Sequence, residues 1–518
     1  MKKLVALLLV TVMALSLFAG CGGNDSSDTG SAGTSGDSSG SGEHANEVVI
    51  GMDSDPGTFN PYASAAAAYQ KVRLLVYQCM TYLDQDKTYT PVLAEYTEQI
   101  DDTTYKVKLK ENIYDSAGNH ITADDVVFSC EQHMQGNGIA TWKYSDPDKP
   151  FEKTGDYEVT FYFAQKTCSA FDQMTSMVAI VSEKAYTESE DEFVNQPIGT
   201  GPYKLDNWVV GSELVFVKNE NYWDDNPHKF FVQNMDKITY KVIAEAAQRA
   251  IELEIGGVDF IYDPQATDLA RFESSDTVTP EVFSGSSVMN IYFNCSEYSR
   301  CQDKRMRQAV AYATDTVALA QVASEGLGTA AASIAHPIQL DWMPEYEGRI
   351  LYDQDMDKAQ ALADELRADG VEMAFSIMTD ENAMKRASAT IIQEACKQIG
   401  IAVEIEQLES AVFQSRYGDL TAWDAYMGTN GSQIYVTSLM TTQIDRTGYP
   451  NPSELRDAIN VAFEEWKEDT SREVVALWEQ EIPILPLFYR QAAVAYNKDL
   501  KGVDLDLSGL VHPGSLSW

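Results

Sequence analysis

The stretch between residues 350 and 430 constrains the fold more than any other part of the chain. Apolar spacing and glycine stops predict a helix from about Met356 to Ala368 that ends at Gly370, a strand over Glu372–Met378, and a long helix from about Asn382 to Gln398 before Gly400. An alternating strand over Ile401–Leu408, a short helix around Val412–Tyr417 and a strand over Trp423–Met427 follow. Helices and strands that alternate with short connections pack as a largely parallel sheet with helices on its faces, so the fold class is α/β. On the long helix Ala387, Ile391, Ala395 and Ile399 recur every four residues and are expected to form its core stripe. Nearer the amino terminus, Glu47–Met52 reads as a strand. Thr104–Lys110 sets Tyr105, Val107 and Leu109 against Lys106, Lys108 and Lys110, the period of a half-buried strand. Thr122 and Asp125 stand at the N-cap and N3 positions of a capping box. The adjacent carboxylates of Asp124 and Asp125 are therefore helix-start charges rather than an acid–base pair.

With 518 residues the chain has room for two to four domains at about 150 residues each. Its 38 Lys and Arg against 79 Asp and Glu leave a formal charge of −41, a field that repels a phosphate backbone and excludes nucleic acid as a partner. A hydrophobic content of 44% places that charge on a folded body, since a disordered acidic polymer is far less apolar. Lys2 and Lys3 precede an apolar run from Leu4 to Phe18, shorter than the roughly 20 residues a bilayer span needs and of the length of a secretory signal. Residues 1–20 are read as a signal peptide. Leu17-Phe18-Ala19-Gly20-Cys21 resembles a bacterial lipobox, which makes Cys21 the lipidation site. From there to about residue 45 the chain is almost wholly Gly, Ser, Asp, Thr and Asn, the composition of a flexible tether. Gly36-Asp37-Ser38-Ser39-Gly40 inside it matches a hydrolase nucleophile elbow by chance, because neither the strand before it nor the helix after it can form there. No later segment is apolar enough for a second span.

Chemistry motifs are absent. Without a Gly-Lys dipeptide there is no P-loop, and Gly326-Leu327-Gly328 lacks the third glycine of a dinucleotide fingerprint. His44, His120, His133, His228, His336 and His512 form no i, i+3 or i, i+4 pair, so no metal site and no cofactor is expected. No constellation of nucleophile and base is visible, and the chain reads as a binding protein rather than an enzyme. Beyond Cys21, cysteines stand at 79, 130, 168, 295, 301 and 396 with no CxxC pair. Cys295 and Cys301 are close enough in sequence to bridge a small loop in an exported protein.

Eight blocks then carry a resemblance: Asp53–Pro61, Thr90–Glu95, Asn119–Phe128, Pro197–Tyr203, Asn219–Trp223, Met306–Ala313, Asp357–Leu362 and Ile482–Leu487. In that order they look like the extracellular solute-binding proteins of family five, the oligopeptide- and dipeptide-binding subunits of ABC importers. The resemblance spans the mature chain. It implies a two-lobed periplasmic-binding-protein-like fold with a hinge and an extra inserted domain. Lobe I would be built from 46–82, 197–284 and 485–518, the inserted domain from 83–196, and lobe II from 285–484. It implies a monomer held by lipid on the outer side of the cell membrane, which closes on a small solute and is recognised by ABC permease subunits. By position, ligand contacts would come from the loop after the first strand (Ser64, Ala65, Ala66), from Gly428, Thr429, Asn430, Gly431, Ser432 and Gln433, and from Phe488 and Tyr489. Trp142 and Tyr144 are further candidate walls for an extended ligand.

One departure bears on the ligand. Peptide binders of this family place a Trp and then an Asp after the lobe II strand, where the carboxylate pairs with the ligand's α-ammonium. Met427 to Tyr435 reads MGTNGSQIY, with no carboxylate and no Trp. An unpaired buried cation costs several kcal/mol, so selection for free amino termini is not expected, and oligosaccharides or other polar solutes stand beside peptides as ligand classes.

Overall fold

The computed structural model describes residues 46–63, 66–136, 142–224, 227–431 and 435–518. Cys21 with the signal and tether, and Ser64, Ala65, Ser432 and Gln433 among the expected contacts, lie outside the described residues.

Eleven strands form one mixed sheet: β1 (Glu47–Met52), β2 (Tyr203–Val209), β3 (Glu213–Lys218), β4 (Lys237–Val242), β5 (Phe260–Tyr262), β6 (Val278–Phe293), β7 (Gly328–Ala330), β8 (Ala374–Thr379), β9 (Ala402–Gln407), β10 (Ala425–Gly431) and β11 (Ile484–Asn497). Their order is β9-β8-β10-β6-β11-β5-β1-β4-β3-β2, with β7 paired to β11. β8 runs parallel to β9 and to β10, as the strand–helix alternation predicts, while β6 is antiparallel to both β10 and β11. The helices Met356–Ala368, Ala383–Gln398 and Ser410–Arg416 match the sequence reading to within two residues at each end. The core stripe of the long helix is turned from the expected one. Ser388, Ala389, Ile392, Ala395 and Cys396 are buried, while Ala387 and Ile391 are only partly covered. A strict four-residue step gains about 40° per turn over a 3.6-residue helix, so the buried face follows i, i+1, i+4, i+7 and i+8 instead.

β6 and β11 cross from one packed body to the other. Met289, Ile291 and Phe293 with Leu485, Leu487 and Phe488 enter the core around β8 and β10, whereas Val494 packs with Val48, Ile50 and Tyr240 around β1 and β4. The two cores make the two lobes, each with its own apolar interior. Register breaks between Ser284 and Val288, so the β6–β11 ladder is interrupted where the strands pass between lobes. Gly285 sits in that break, where a Cβ would lie 2.6 Å from the Arg490 carbonyl oxygen. The first half of β11, through Tyr489, thus packs with lobe II, beyond the division expected after residue 484.

Within the segment expected to form the inserted domain lies a separate four-stranded antiparallel sheet ordered Ala94–Gln99, Thr104–Leu109, Glu158–Tyr162 and Phe151–Gly155. Val107 and Leu109 point into its core with Phe161, as alternation requires. The capping box forms at Ala123–Gln135: the Thr122 amide donates to the Asp125 carboxylate at 2.7 Å, and the second carboxylate oxygen accepts from the Glu183 amide at 2.9 Å.

The expected Cys295–Cys301 bridge is absent, and no described cysteine is in a disulfide. The Cys295 thiol is directed to the Phe293 carbonyl at 3.5 Å, and the loop is closed by Arg307 instead. This buried guanidinium donates to the carbonyls of Cys301, Gln302 and Glu481 at 2.9, 2.7 and 3.0 Å. Burial pushes both thiols above their ordinary range, as expected of small apolar side chains.

Candidate functional site

The exposed end of β10 is built by its neighbours. β8 pairs with it only at Ala425 and Tyr426, so from Gly428 to Gly431 its paired edge is the one on β6. Stacked Tyr292 and Tyr426, with centroids 4.5 Å apart at 9°, lie beneath this segment. Gly428 is required there, since a Cβ would come within 2.7 Å of the Tyr292 ring. Asn430 turns inward and accepts the Tyr292 hydroxyl, while Thr429 and Gly431 are exposed. What remains is a short strand edge to which, among the described residues, no strand pairs beyond Tyr426, carried on a stacked aromatic base.

Elsewhere, residues of the segment expected to form the inserted domain touch residues 441–465 directly. Tyr144 donates its hydroxyl to Thr441 Oγ1 at 2.8 Å and packs its ring 4.5 Å from Phe463. The Cys168 amide donates to the Phe463 carbonyl at 2.8 Å, and Lys166 reaches Glu465 at 3.8 Å. From the hairpin Thr81–Leu83 and Tyr89–Pro91, Lys87 donates across to the carbonyls of Gln339 and Pro337 at 2.9 and 3.3 Å. Burial holds the Lys87 ammonium below its ordinary range, and the nearby Asp341 charge opposes that shift. His336, beside it, is buried and pulled down to about 4, so it is neutral near pH 7; its Nε2 has no hydrogen-bond partner among the described residues. Two cavities of about 390 and 240 Å³ flank the Cys168–Phe463 contact. A larger concavity, about 1120 Å³, is lined by other residues, among them Ala117, Glu190 and Trp208.

The expected contacts divide. Tyr144 stands at the junction, and Thr429 and Gly431 line the exposed edge. Ala66 is exposed at the start of the helix Ala67–Val76. Trp142 and Phe488 are core residues, 5% and 0% exposed, and are withdrawn as ligand walls. The Trp142 indole donates to His133 Nδ1 at 2.9 Å, and burial draws that imidazole down to about 4. Tyr489 is 4% exposed, and its hydroxyl accepts from the amides of Ala332 and Ser333, which fastens the loop after β7. An aromatic in a sequence carries no sign of which side of its element faces a core, and these three are claimed by packing. Sequence reasoning missed Asp172, Tyr435 and Trp466, which line one cavity from three separate segments with no shared spacing, and Lys87, which bonds across from its hairpin to Pro337 and Gln339. Among the described residues no group of three or more His, Cys, Asp or Glu could hold a metal ion, and no helix is long and apolar enough to cross a membrane.

The family profile described as bacterial extracellular solute-binding proteins, family 5 middle, matches residues 88–452. The oligopeptide-binding protein AppA of Bacillus subtilis is 25% identical over 542 aligned residues, which cover 97% of this chain and 96% of AppA. The solved AppA of Bacillus subtilis in complex with a nonapeptide superposes with a TM-score of 0.71 at 22% identity, over 91% of this chain and 98% of that one. The PBP AgaA in complex with agropinic acid from A. tumefacien R10 gives a TM-score of 0.74 at 19% identity, over 90% and 97% of the two chains.

Proposed function

The chain belongs to the bacterial extracellular solute-binding proteins of family 5, and from that premise we propose that it is the lipid-anchored capture subunit of an ABC importer, holding a peptide between its lobes. The observation that carries the peptide reading is the β10 segment Gly428–Gly431, which pairs with β6 on one side and, among the described residues, has no strand paired on the other. An extended peptide adds to such an edge through main-chain hydrogen bonds that are indifferent to side chains, and neighbouring pockets then read individual residues. The relatives' names agree: AppA is an oligopeptide-binding protein, and its solved complex holds a nonapeptide.

Lobe I is assigned to 46–82, 197–284 and the last part of the chain, the inserted domain to 83–196 and lobe II to 285–484 with the first half of β11. The interrupted β6–β11 ladder is the hinge. Solute contacts from both sides stabilise the closed form, so binding shifts the population toward it by the difference in affinity between closed and open states. A permease in the membrane then meets a closed shape. Cys21 carries the lipid, and residues 22–45 are the tether that their composition implies. No chemical step is assigned, and one chain supplies both faces of the cleft.

A polar non-peptide solute is the second reading. It is favoured by the absence of any carboxylate or Trp from Gly428 to Tyr435, and by AgaA, whose complex holds agropinic acid on the same fold. Mass spectrometry of solutes released by unfolding the purified protein separates the two. Peptides of several sequences and similar length support the first reading, and a single carbohydrate-like mass overturns it.

A further inference from the structure

The cavity of about 390 Å³ lies between the inserted domain and lobe II, and each side contributes an aromatic pair. Tyr105 and Phe171 stack 4.5 Å apart at 16° on one side; Tyr435 and Trp466 stand 5.7 Å apart at 55° on the other. Asp172, in the first turn of the helix Ala170–Met177, lines the cavity next to Phe171. Its carboxylate has no cationic partner and no side-chain hydrogen bond among the described residues, and burial alone pushes it up to about 6. The phenols around it, Tyr89, Tyr105 and Tyr435, are raised chiefly by their own burial, and the Asp172 charge adds to each, so they stay neutral at pH 7. Of the charged groups on the rim, Glu98, Glu464 and Glu465 are acidic. The one base, Lys166, is paired to Asp102 at 3.3 Å and to Glu465 at 3.8 Å.

We infer that this cavity is a subsite for a cationic group of the bound solute, an ammonium or guanidinium that enters between the two aromatic pairs and pairs with the Asp172 carboxylate. The inference rests on reading the cleft between the lobes as the solute site. A cation here meets the electron-rich faces of two ring pairs and a carboxylate that lacks a counter-charge, and each attraction strengthens as water leaves. Because the walls come from both sides, the site is complete only when the cleft is shut, so the cation favours closure. Tyr435 is four residues past the end of β10, so one end of a strand added to Gly428–Gly431 lies within about 14 Å of the cavity by chain reach. The counter-charge missing from the lobe II segment is thus supplied by the inserted domain, and the expected indifference to a free ammonium is reversed.

Calorimetry at pH 7.5 with three five-residue alanine peptides tests this: one with a free amino terminus, one N-acetylated, and one N-acetylated with a single lysine. Wild-type protein is expected to bind a cationic form about tenfold more tightly than the neutral acetylated peptide. The preferred peptide tells terminus from side chain. Asp172→Asn should reduce that preference to about twofold or less without weakening the neutral peptide, and at pH 5 the wild-type preference should shrink as the carboxyl takes up its proton. A preference that survives Asp172→Asn, or wild-type protein that binds all three alike, overturns the subsite and leaves the peptide reading intact. If no peptide binds, that reading falls, and butylammonium followed by Trp466 fluorescence decides the subsite alone. Saturable quenching lost in Asp172→Asn upholds it, and equal response of the two proteins removes it.

Discussion

Asp172→Asn also makes a prediction about stability in the absence of any solute, and its sign is opposite to that of most buried substitutions. The carboxyl rises from an ordinary 3.8 to about 6 because burial penalises the charge and nothing nearby offsets it. The folded protein therefore holds this proton more tightly than the unfolded chain. Its contribution to stability is fully present below pH 3.8 and is lost as pH rises through 6. Above that, the ionised group is a cost. A shift of about two units corresponds to about 3 kcal/mol, and because Asp172 keeps a path to water, screening reduces this to about 1–2 kcal/mol. Asparagine has nearly the same shape and no charge, and there is no salt bridge for it to break. Urea unfolding of solute-free protein should show Asp172→Asn more stable than wild type by about 1–2 kcal/mol at pH 8, with the difference fading toward pH 4. A variant equal to or weaker than wild type at pH 8, or an advantage that is the same at both pH values, would refute an uncompensated carboxylate at this position.

Gly428→Ala places a methyl against the stacked Tyr292 ring and should destabilise the protein by about 1–3 kcal/mol, read as a lower urea midpoint; an unchanged midpoint would show that the aromatic base can give way. Tyr144→Phe removes the bond to Thr441, worth about 0.5–1.5 kcal/mol, so solute affinity should fall about twofold to tenfold while unfolding of lobe II is unaffected; calorimetry with wild-type affinity would mean the cleft closes without it. Cys21→Ala should leave the membrane fraction or keep its signal uncleaved, and normal processing with membrane retention would dismiss Cys21 as the anchor.

Regular elements were legible because their determinants are local. Glu47–Met52 and the helix Met356–Ala368 have the bounds their apolar period and stop signals predict, and the Thr122–Asp125 capping box forms as its spacing requires. The lobe crossing was less legible. Ile484 to Asn497 is one continuous β pattern, and nothing in that pattern tells that Leu485 and Val494 enter different cores; the difference comes from the break in β6 beside Gly285, on another strand. The Cys295–Cys301 pair failed for a similar reason. Six residues suffice for a bridge, yet whether two thiols face each other depends on what fills the loop, and Arg307 fills it with hydrogen bonds to three carbonyls.

The cleft shows the same limit more sharply, because its residues are chosen by docking between segments far apart in sequence. Lys87 in a hairpin, Asp172 in a helix start, and Tyr435 and Trp466 in lobe II carry no mutual spacing, and each taken alone reads as an ordinary surface or core residue. Trp142 and Phe488, by contrast, looked like ligand walls because large aromatics are common in both roles, and their burial decides against it. The sequence did contain one usable signal, an absence. A segment that lacks the expected carboxylate either does not bind a cation or leaves the counter-charge to another part of the fold, and sequence alone cannot choose between the two. The subsite proposed at Asp172 takes the second course. Asp172 is an acid whose proton affinity is raised by burial with no cationic partner among the described residues, in a cavity lined by one aromatic pair from Tyr105 and Phe171 and another from Tyr435 and Trp466. Stability argues against keeping such a charge without a ligand, so its presence is more economically explained by a cation that arrives with the solute than by any role in holding the fold.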